Sequence, residues 1–207
     1  QISSPEKLKG KEQADYALLL TQAKYRCNIL APSDSLINIA INYYKEKENA
    51  DRKGAAYLYK GSVLNELHES EKAIQAYKQA EECIPKMTDT HLIARIYSDL
   101  GYLNQMELNY DIAKTYYKKS LSINKAEKYL SNSTNDLINL MGIYISSDYQ
   151  NKQDSAEWCT SELLNIVSKV GSNIQAKIFH NIAVQKMYKE KYTEAEIFLQ
   201  KLKEVSN

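Results

Sequence analysis

Small residues recur at nearly constant spacing along this chain of 207 residues. The anchors Gly61, Gly101, Gly142 and Ala183 follow one another at intervals of 40, 41 and 41 residues. Each anchor lies in a stretch with apolar residues at positions i, i+3, i+4 and i+7, which is typical of an amphipathic helix, and a second such stretch follows it. A repeat of this length predicts a stack of helical units that bury their apolar faces against their neighbours.

The anchor Gly61 lies inside a predicted helix, where glycine costs about 1 kcal/mol relative to alanine. Its spacing to the small and aromatic residues that follow predicts two antiparallel helices in close approach, with no room for a side chain at Gly61. In two of the other units the interval from the anchor to the next alanine is again twelve residues. The positions that define the repeat are Tyr57, Gly61, Ala73, Tyr77, Ala80, Pro85, Tyr97, Gly101, Ala113, Tyr117, Gly142, Ala156, Ala183 and Ala195.

The first 50 residues also contain two apolar-periodic stretches, although they lack the anchor pattern. Pro32 separates these stretches, and Ser33 and Asp34 are typical of the N-cap of a following helix. No stretch alternates with a period of two, so we expect no sheet. We predict a single domain over residues 1–207 with five helical hairpins, at approximately 10–50, 51–87, 88–126, 127–170 and 172–207.

The order of residues in each unit resembles the tetratricopeptide repeat (TPR). An aromatic residue, Leu-Gly, Tyr, Ala, an aromatic residue, Ala and Pro follow one another, with twelve residues from the glycine to the first alanine. The resemblance implies an all-α fold, a right-handed TPR-like superhelix. Lys60 replaces the usual leucine, Ser120 replaces an alanine, and the period exceeds the usual 34 residues. The longer period resembles the TPR-like superhelices of bacterial regulatory proteins more than the chaperone-docking type.

The TPR resemblance also implies a concave groove lined by the first helix of each hairpin. That face is polar here, with aromatic islands, and it suits an extended peptide or a partner helix because amide and hydroxyl groups bind backbone while Tyr supplies apolar contact. For any single residue, a solvated position without a partner is the alternative. The implied groove residues are Ser62, Asn65, Glu66, Arg95, Ser98, Tyr102, Gln105, Asp136, Asn139, Lys177, His180 and Tyr188.

Composition argues against several classes of protein. The net charge is +1, from 27 Lys and Arg against 26 Asp and Glu, so no overall field attracts a polyanion and we expect no nucleic-acid ligand for this segment. The longest apolar run, residues 16–20, is far shorter than the roughly 20 residues of a membrane-spanning helix. Three widely spaced cysteines without a C-x-x-C pair indicate half-buried thiols, not a disulfide framework or a zinc site.

No pattern in the sequence indicates catalysis, a cofactor or a metal. The three histidines, His68, His91 and His180, belong to different units and lack a second ligand at a suitable spacing. The nucleophile, phosphate-binding and zinc-hydrolase motifs are missing. Lys24 and Asn28 match one element of the carboxylate clamp of some TPR domains, but the companion Lys-x3-Arg pair is missing. We therefore expect a protein that is not an enzyme.

The beginning of the chain bears on its cellular location. Residue 1 is Gln and not Met, so we expect a trimmed or processed fragment. The opening "SPEKLKGKEQADYALLL" resembles the envelope-exposed TPR region of Gram-negative lipoproteins and membrane-tethered regulators. That resemblance implies a periplasmic or lipid-anchored protein of the cell envelope, and a cytoplasmic location is the alternative.

Together these features predict a non-enzymatic scaffold that binds a protein or peptide in the groove of a TPR superhelix. The alternative is a signalling role, as the ligand- or peptide-gated sensor of a regulatory protein whose membrane-linked or DNA-binding output domain lies outside this fragment. The last helix carries Ile197, Phe198 and Leu202 without an evident polar capping helix after it. Pairing of two copies through terminal helices is a further expectation.

Overall fold

The computed structural model describes residues 7–146 and 152–206, and within these ranges the chain is all-α. The described ranges contain no strand, so the predicted fold class is confirmed. The ten α-helices found there are α1 (Gly10–Arg26), α2 (Ser35–Tyr44), α3 (Ala50–Glu66), α4 (Ser70–Glu81), α5 (Thr90–Met106), α6 (Tyr110–Ala126), α7 (Leu130–Ser146), α8 (Lys152–Val167), α9 (Ser172–Tyr188) and α10 (Tyr192–Ser206).

The chain divides into two compact units, with the boundary inside α5. Unit 1 is Gln1–Leu103 and contains α1 to α4 and most of α5. Unit 2 is Asn104–Asn207 and contains the end of α5 and α6 to α10. One continuous solenoid over residues 1–207 stays a prediction.

The core of unit 1 forms where α1, α2 and α3 meet. Leu18, Ile37 and Tyr59 are almost completely buried in it. At one edge of this core, the Tyr44 hydroxyl donates a hydrogen bond to the Asp15 carboxylate over 2.5 Å. The same carboxylate lies 3.7 Å from the Arg52 guanidinium, so one acidic group links three helices.

The core of unit 2 combines apolar side chains of α6 to α9 with a small polar network. Leu137, Leu140 and Leu163 are fully buried there. Among them lies Asp136, whose carboxylate accepts hydrogen bonds from the Ser120 hydroxyl and from the Asn124 amide, each over 2.7 Å. A buried carboxylate is costly unless hydrogen bonds satisfy it, so these donors hold α6 and α7 in one arrangement.

The close approach predicted at Gly61 is confirmed. A Cβ atom built on Gly61 would lie 2.9 Å from three ring atoms of Tyr77, which is closer than real Cβ contacts. Gly142 differs, because a Cβ there would meet only the Gln105 amide nitrogen, at 3.9 Å. The alanines at the repeat positions are buried, and Pro85 lies in the 3-10 helix Ile84–Lys86; these alanines are Ala73, Ala80, Ala113, Ala156, Ala183 and Ala195.

Five of the described helices, α1, α3, α5, α6 and α9, end in the same type of cap. At the end of α3, the amide of Glu69 donates to the carbonyl of Leu64 and the amide of His68 donates to that of Asn65, which is the Schellman arrangement. The residue that makes this turn has a positive φ, and none of the five residues in this position is a glycine. They are Asn28, His68, Leu108, Lys128 and Glu190.

These caps place the first hairpin in the repeat register. Asn28, His68 and Leu108 all have positive φ and lie at successive intervals of 40 residues. Counting back from Asn28 by the distance that separates His68 from Gly61 gives Thr21, which is buried and donates a hydrogen bond to the Ala17 carbonyl. Because the anchor position holds threonine instead of glycine, the first repeat cannot be recognised from the glycine spacing.

The cysteines differ in exposure. The three cysteines are free but are not all half-buried: Cys27 is exposed, whereas Cys83 and Cys159 are buried. Burial raises the pKa of the Cys159 thiol to about 12, so this thiol is protonated at neutral pH. The interval from Gly142 to Ala156 is fourteen residues, two more than in the other units, and residues 147–151 within it lie outside the described residues.

Candidate interaction surface

The first helices of the hairpins in unit 1 meet at a stacked arginine. The Arg95 guanidinium lies 4.8 Å from the ring centre of Tyr25 and 5.3 Å from that of Tyr59. The two rings are 6.1 Å apart in an edge-to-face arrangement. A guanidinium between two ring systems gains cation–π attraction, so α1, α3 and α5 are joined at this point.

We use "arginine cluster" for Arg95, Tyr25, Tyr59 and Asp99. The ion pair between Arg95 and Asp99 completes it. The Arg95 Nε atom lies 3.5 Å from the Asp99 carboxylate, one helical turn away. Burial opposes the charge of Arg95, but Asp99 and the nearby tyrosines outweigh that effect and raise its pKa. Burial also raises the pKa of the Asp99 carboxyl, an effect that Arg95 only partly offsets. The cluster is therefore an ion pair that lies among aromatic rings.

The predicted groove residues of unit 1 separate into two groups. Tyr102 is 46% exposed, and Asn65, Glu66, Arg95 and Ser98 are partly exposed, so these five can meet a ligand. Ser62 is not a groove residue, because its side chain is buried. Its hydroxyl accepts a hydrogen bond from the Tyr77 hydroxyl over 3.2 Å and donates to the Leu58 carbonyl, since it lies where α4 packs on α3.

The predicted groove residues of unit 2 lie mainly on α7 and α9. Lys177 and His180 are exposed, and Tyr188 is 72% exposed. The Lys177 ammonium donates a hydrogen bond to the Asn135 amide oxygen over 2.7 Å and so links α9 to α7. Asn139 is partly exposed on α7.

Two further predictions for unit 2 concern residues that serve the interior. Asp136 is wrong as a groove residue, because it is buried in the network with Ser120 and Asn124. Gln105 is partly exposed, and its amide oxygen accepts a hydrogen bond from the Tyr117 hydroxyl over 2.9 Å. Both positions are on a first helix, but Gln105 bonds to the second helix of its own hairpin and Asp136 to the second helix of the preceding hairpin.

We use "first-helix surface" for the partly or fully exposed side chains of these helices in each unit. On unit 1 it comprises Tyr25, Asn65, Glu66, Arg95, Ser98, Asp99 and Tyr102. Tyr59 is buried and is not part of this surface, although its ring contacts Arg95. On unit 2 it comprises Gln105, Asn139, Lys177, His180 and Tyr188.

Sequence reasoning missed three members of the arginine cluster. Tyr25, Tyr59 and Asp99 were not among the predicted groove residues. Two of them could have been found from helical spacing, because Asp99 follows Arg95 by four residues and Tyr59 precedes Ser62 by three, which places each pair on one helix face. Tyr25 could not, because the register of the first hairpin was unknown.

The described residues show neither a metal site nor a membrane helix. No group of three or more His, Cys, Asp or Glu residues in the described ranges could hold a metal ion. No described helix is both long enough and apolar enough to span a membrane.

Comparison with solved structures identifies the fold. The chain is similar to BtubC (BKLC) from P. vanneervenii, with a TM-score of 0.77 and 16% identity over 93% of this chain and 79% of BtubC. It is also similar to a putative kinesin light chain from Podosopora anserina with nearly identical TPR-like repeats, with a TM-score of 0.71 and 10% identity over 94% of this chain and 95% of that one. A point variant of the latter protein matches with the same TM-score and identity.

These similarities confirm the predicted TPR-like fold and, at such low identity, show the fold alone. No protein-family model and no curated protein sequence matches the chain. The resemblance to envelope lipoproteins is not confirmed by these comparisons and stays a prediction.

Proposed function

We propose that this chain, which has a TPR-like helical-repeat fold, is a non-enzymatic scaffold that binds a protein or peptide through its first-helix surfaces. Helical-repeat proteins bind partners through extended open faces, because each repeat adds surface beside the last. The observation that carries the proposal is the exposure of aromatic rings on these faces, at Tyr102 in unit 1 and Tyr188 in unit 2. Tyrosine is enriched at interfaces since it offers apolar area and a hydroxyl together.

The polar groups around the rings support a peptide ligand. On unit 1, partly exposed Asn65 and Ser98 offer an amide and a hydroxyl beside the arginine cluster. On unit 2, Lys177 and His180 are exposed on the same helix as Tyr188. Such groups bind peptide carbonyl and amide groups, and rings contact side chains.

Comparative capture from a lysate of the native host tests this proposal. The triple variant Tyr102→Ser, His180→Ser, Tyr188→Ser removes exposed side chains from the first-helix surfaces without altering the core. The control variant Gln75→Ser, Glu196→Ser changes exposed side chains on the second helices α4 and α10. Quantitative mass spectrometry should show a protein retained by wild type and by the control but lost from the triple variant. Equal retention by all three would contradict the proposal.

We also propose that the protein is located in the cell envelope. This location is supported by the resemblance of the opening residues to envelope TPR regions. Fractionation of the native host, with mass spectrometry of the mature N-terminus, should find a lipidated or signal-cleaved protein in the envelope fraction. An unprocessed protein in the cytosolic fraction would refute the location and would favour the alternative, an intracellular peptide-gated regulator. Pairing of two copies and a lack of nucleic-acid binding stay predictions.

A further inference from the structure

Unit 1 contains a pocket beside its first-helix surface. The pocket lies between the end of α1, the connection to α2, α2 itself and α3, and it has a volume of about 300 Å³. Its wall is mainly apolar and includes Leu20, Pro32, Leu36 and Val63. Ligand pockets run from about 300 to 1,000 Å³, so this pocket is sized for one bulky side chain.

The polar group of interest in the pocket wall is the carboxylate of Glu66 at the end of α3. Among the described residues it has no ion pair and no hydrogen bond. Burial raises the pKa of this carboxyl, and no neighbouring cation offsets that effect. A carboxylate against an apolar wall is costly unless a donor or a cation satisfies it, so Glu66 offers a place for a positive group.

The rim of the pocket is apolar and exposed. Ile29 lines the pocket and is 54% exposed, and the adjacent Leu30 is 72% exposed. The positive φ of Asn28 and the amide of Ile29, which donates to the Lys24 carbonyl, fix this corner in place. A chain lying across the rim would cover both side chains.

The pocket continues into the arginine cluster through Tyr25. Tyr25 lines the pocket on one side, and its ring packs against Tyr59 and Arg95 on the other. A peptide on the first-helix surface of unit 1 therefore passes the pocket mouth. We propose that the pocket takes a bulky apolar side chain of the partner peptide, and that Glu66 pairs with a Lys or Arg next to that side chain.

This inference rests on the proposed function and adds the chemistry of the partner. Lys24 also lines the pocket and forms no ion pair with Glu66 in the described structure. It would repel the incoming cation, so its removal should strengthen binding. The two charged residues thus give opposite predictions for the same ligand.

Fluorescence polarisation with defined peptides tests the inference on the whole chain. The probe is a fluorescein-labelled octapeptide pool with Phe-Lys at its centre and Ser, Gly and Ala elsewhere, and the comparison pools carry Phe-Glu or Ser-Lys. The Phe-Lys pool should bind about tenfold more tightly than either comparison pool. A loss of this size is expected when a charged hydrogen bond is removed, as in Phe-Glu, or when a buried apolar side chain is removed, as in Ser-Lys.

Variants locate the binding to the pocket. Glu66→Gln should weaken binding of the Phe-Lys pool by about tenfold, and Lys24→Gln should strengthen it. Ala31→Trp, at a partly exposed wall position, should fill the pocket and abolish binding. The matched control Glu71→Gln, an exposed carboxylate on α4, should leave the affinity unchanged, and circular dichroism should show that every variant folds.

Equal binding of the Phe-Lys and Phe-Glu pools, no binding of any pool, or an unchanged affinity for folded Glu66→Gln would overturn the inference. These results do not test the proposed function. That function is tested separately, by the lysate capture with the triple variant at Tyr102, His180 and Tyr188. If a partner is lost from that variant but the pocket shows no peptide preference, the proposed scaffold function is supported and only the pocket inference is overturned.

Discussion

The ring of Tyr77 lies against the backbone of Gly61, where a Cβ atom would be 2.9 Å from three of its carbon atoms. The ring has no free direction in which to move, because Tyr77 is buried and its hydroxyl donates a hydrogen bond to Ser62. The contact therefore explains why a helix contains glycine at this position. It also holds α3 and α4 at the short separation that the repeat requires.

Gly61→Ala should destabilise the chain even though alanine is the better helix former. Overpacking a core costs about 1–3 kcal/mol, whereas alanine gains about 1 kcal/mol over glycine in a helix. We expect a net loss of about 1 kcal/mol in the free energy of unfolding, measured by urea denaturation.

Gly142→Ala is the matched control, because a Cβ there meets only the Gln105 amide at 3.9 Å. The free energy of unfolding of this variant should exceed that of wild type by up to about 1 kcal/mol. If both substitutions stabilised the chain, steric exclusion would not be the reason for glycine at position 61.

Leu108→Gly should stabilise the turn between α5 and α6. Leu108 has a φ of 61° and is 70% exposed, so leucine is strained there without gaining burial. The left-handed conformation costs an L-residue about 1–2 kcal/mol, and the larger chain entropy of glycine offsets part of the relief. Thermal unfolding should show a higher midpoint for this variant and a lower one for Thr115→Gly, an exposed position inside α6. A lower midpoint for Leu108→Gly would contradict the cap assignment.

Arg95→Ala should destabilise unit 1 by about 1–3 kcal/mol. The substitution removes the contacts with Tyr25 and Tyr59 and leaves the Asp99 carboxylate without its partner. The double variant Arg95→Leu, Asp99→Leu should recover part of the loss, because no charge is then left unpaired. Equal losses for the single and double variants, in urea denaturation, would show that the ion pair does not couple the two positions.

Glu157 in unit 2 should make stability depend on pH in the acid range. Burial opposes its charge, but hydrogen bonds from Lys189 and Lys186 outweigh that effect and lower the pKa below its ordinary value of 4.5. A lowered folded-state pKa contributes stability above the unfolded value, and this contribution is lost as the pH falls through the folded value.

The free energy of unfolding should therefore differ between wild type and Glu157→Gln by up to about 1 kcal/mol at pH 7, the range for partly solvated ion pairs. The difference should shrink as the pH falls below 4.5. The exposed Glu196→Gln variant should show no such change. A difference that is constant from pH 7 to pH 3 would exclude the ion pairs as its cause.

The fold could be predicted from the sequence because its signal is repeated. Small residues at Gly61 and Gly101 with buried alanines twelve positions later predict close helix packing, and the structure shows that close approach at Gly61. The register of the first hairpin could not be predicted, because Thr21 stands at the anchor position and only the positive φ of Asn28 reveals it.

The candidate site could be predicted only in part. Periodicity assigns a residue to a helix face but does not say whether that face meets solvent or another helix. Ser62 and Asp136 share a spacing with exposed residues, yet each is buried because a second helix supplies its hydrogen-bond partner. The stacking of Arg95 on Tyr25 joins residues far apart in the sequence, and no local pattern indicates such a contact.

The most direct test of the first-helix surfaces is site-specific photo-crosslinking on the full-length product in its native host. Benzoylphenylalanine would replace Tyr102 or Tyr188 on the first helices, and Gln75 or Glu196 on the second helices as controls. The account predicts crosslinks to a discrete protein from the two tyrosine positions and none from the controls. Crosslinks from the control positions alone, equal yields at all four positions, or none at any position would contradict it.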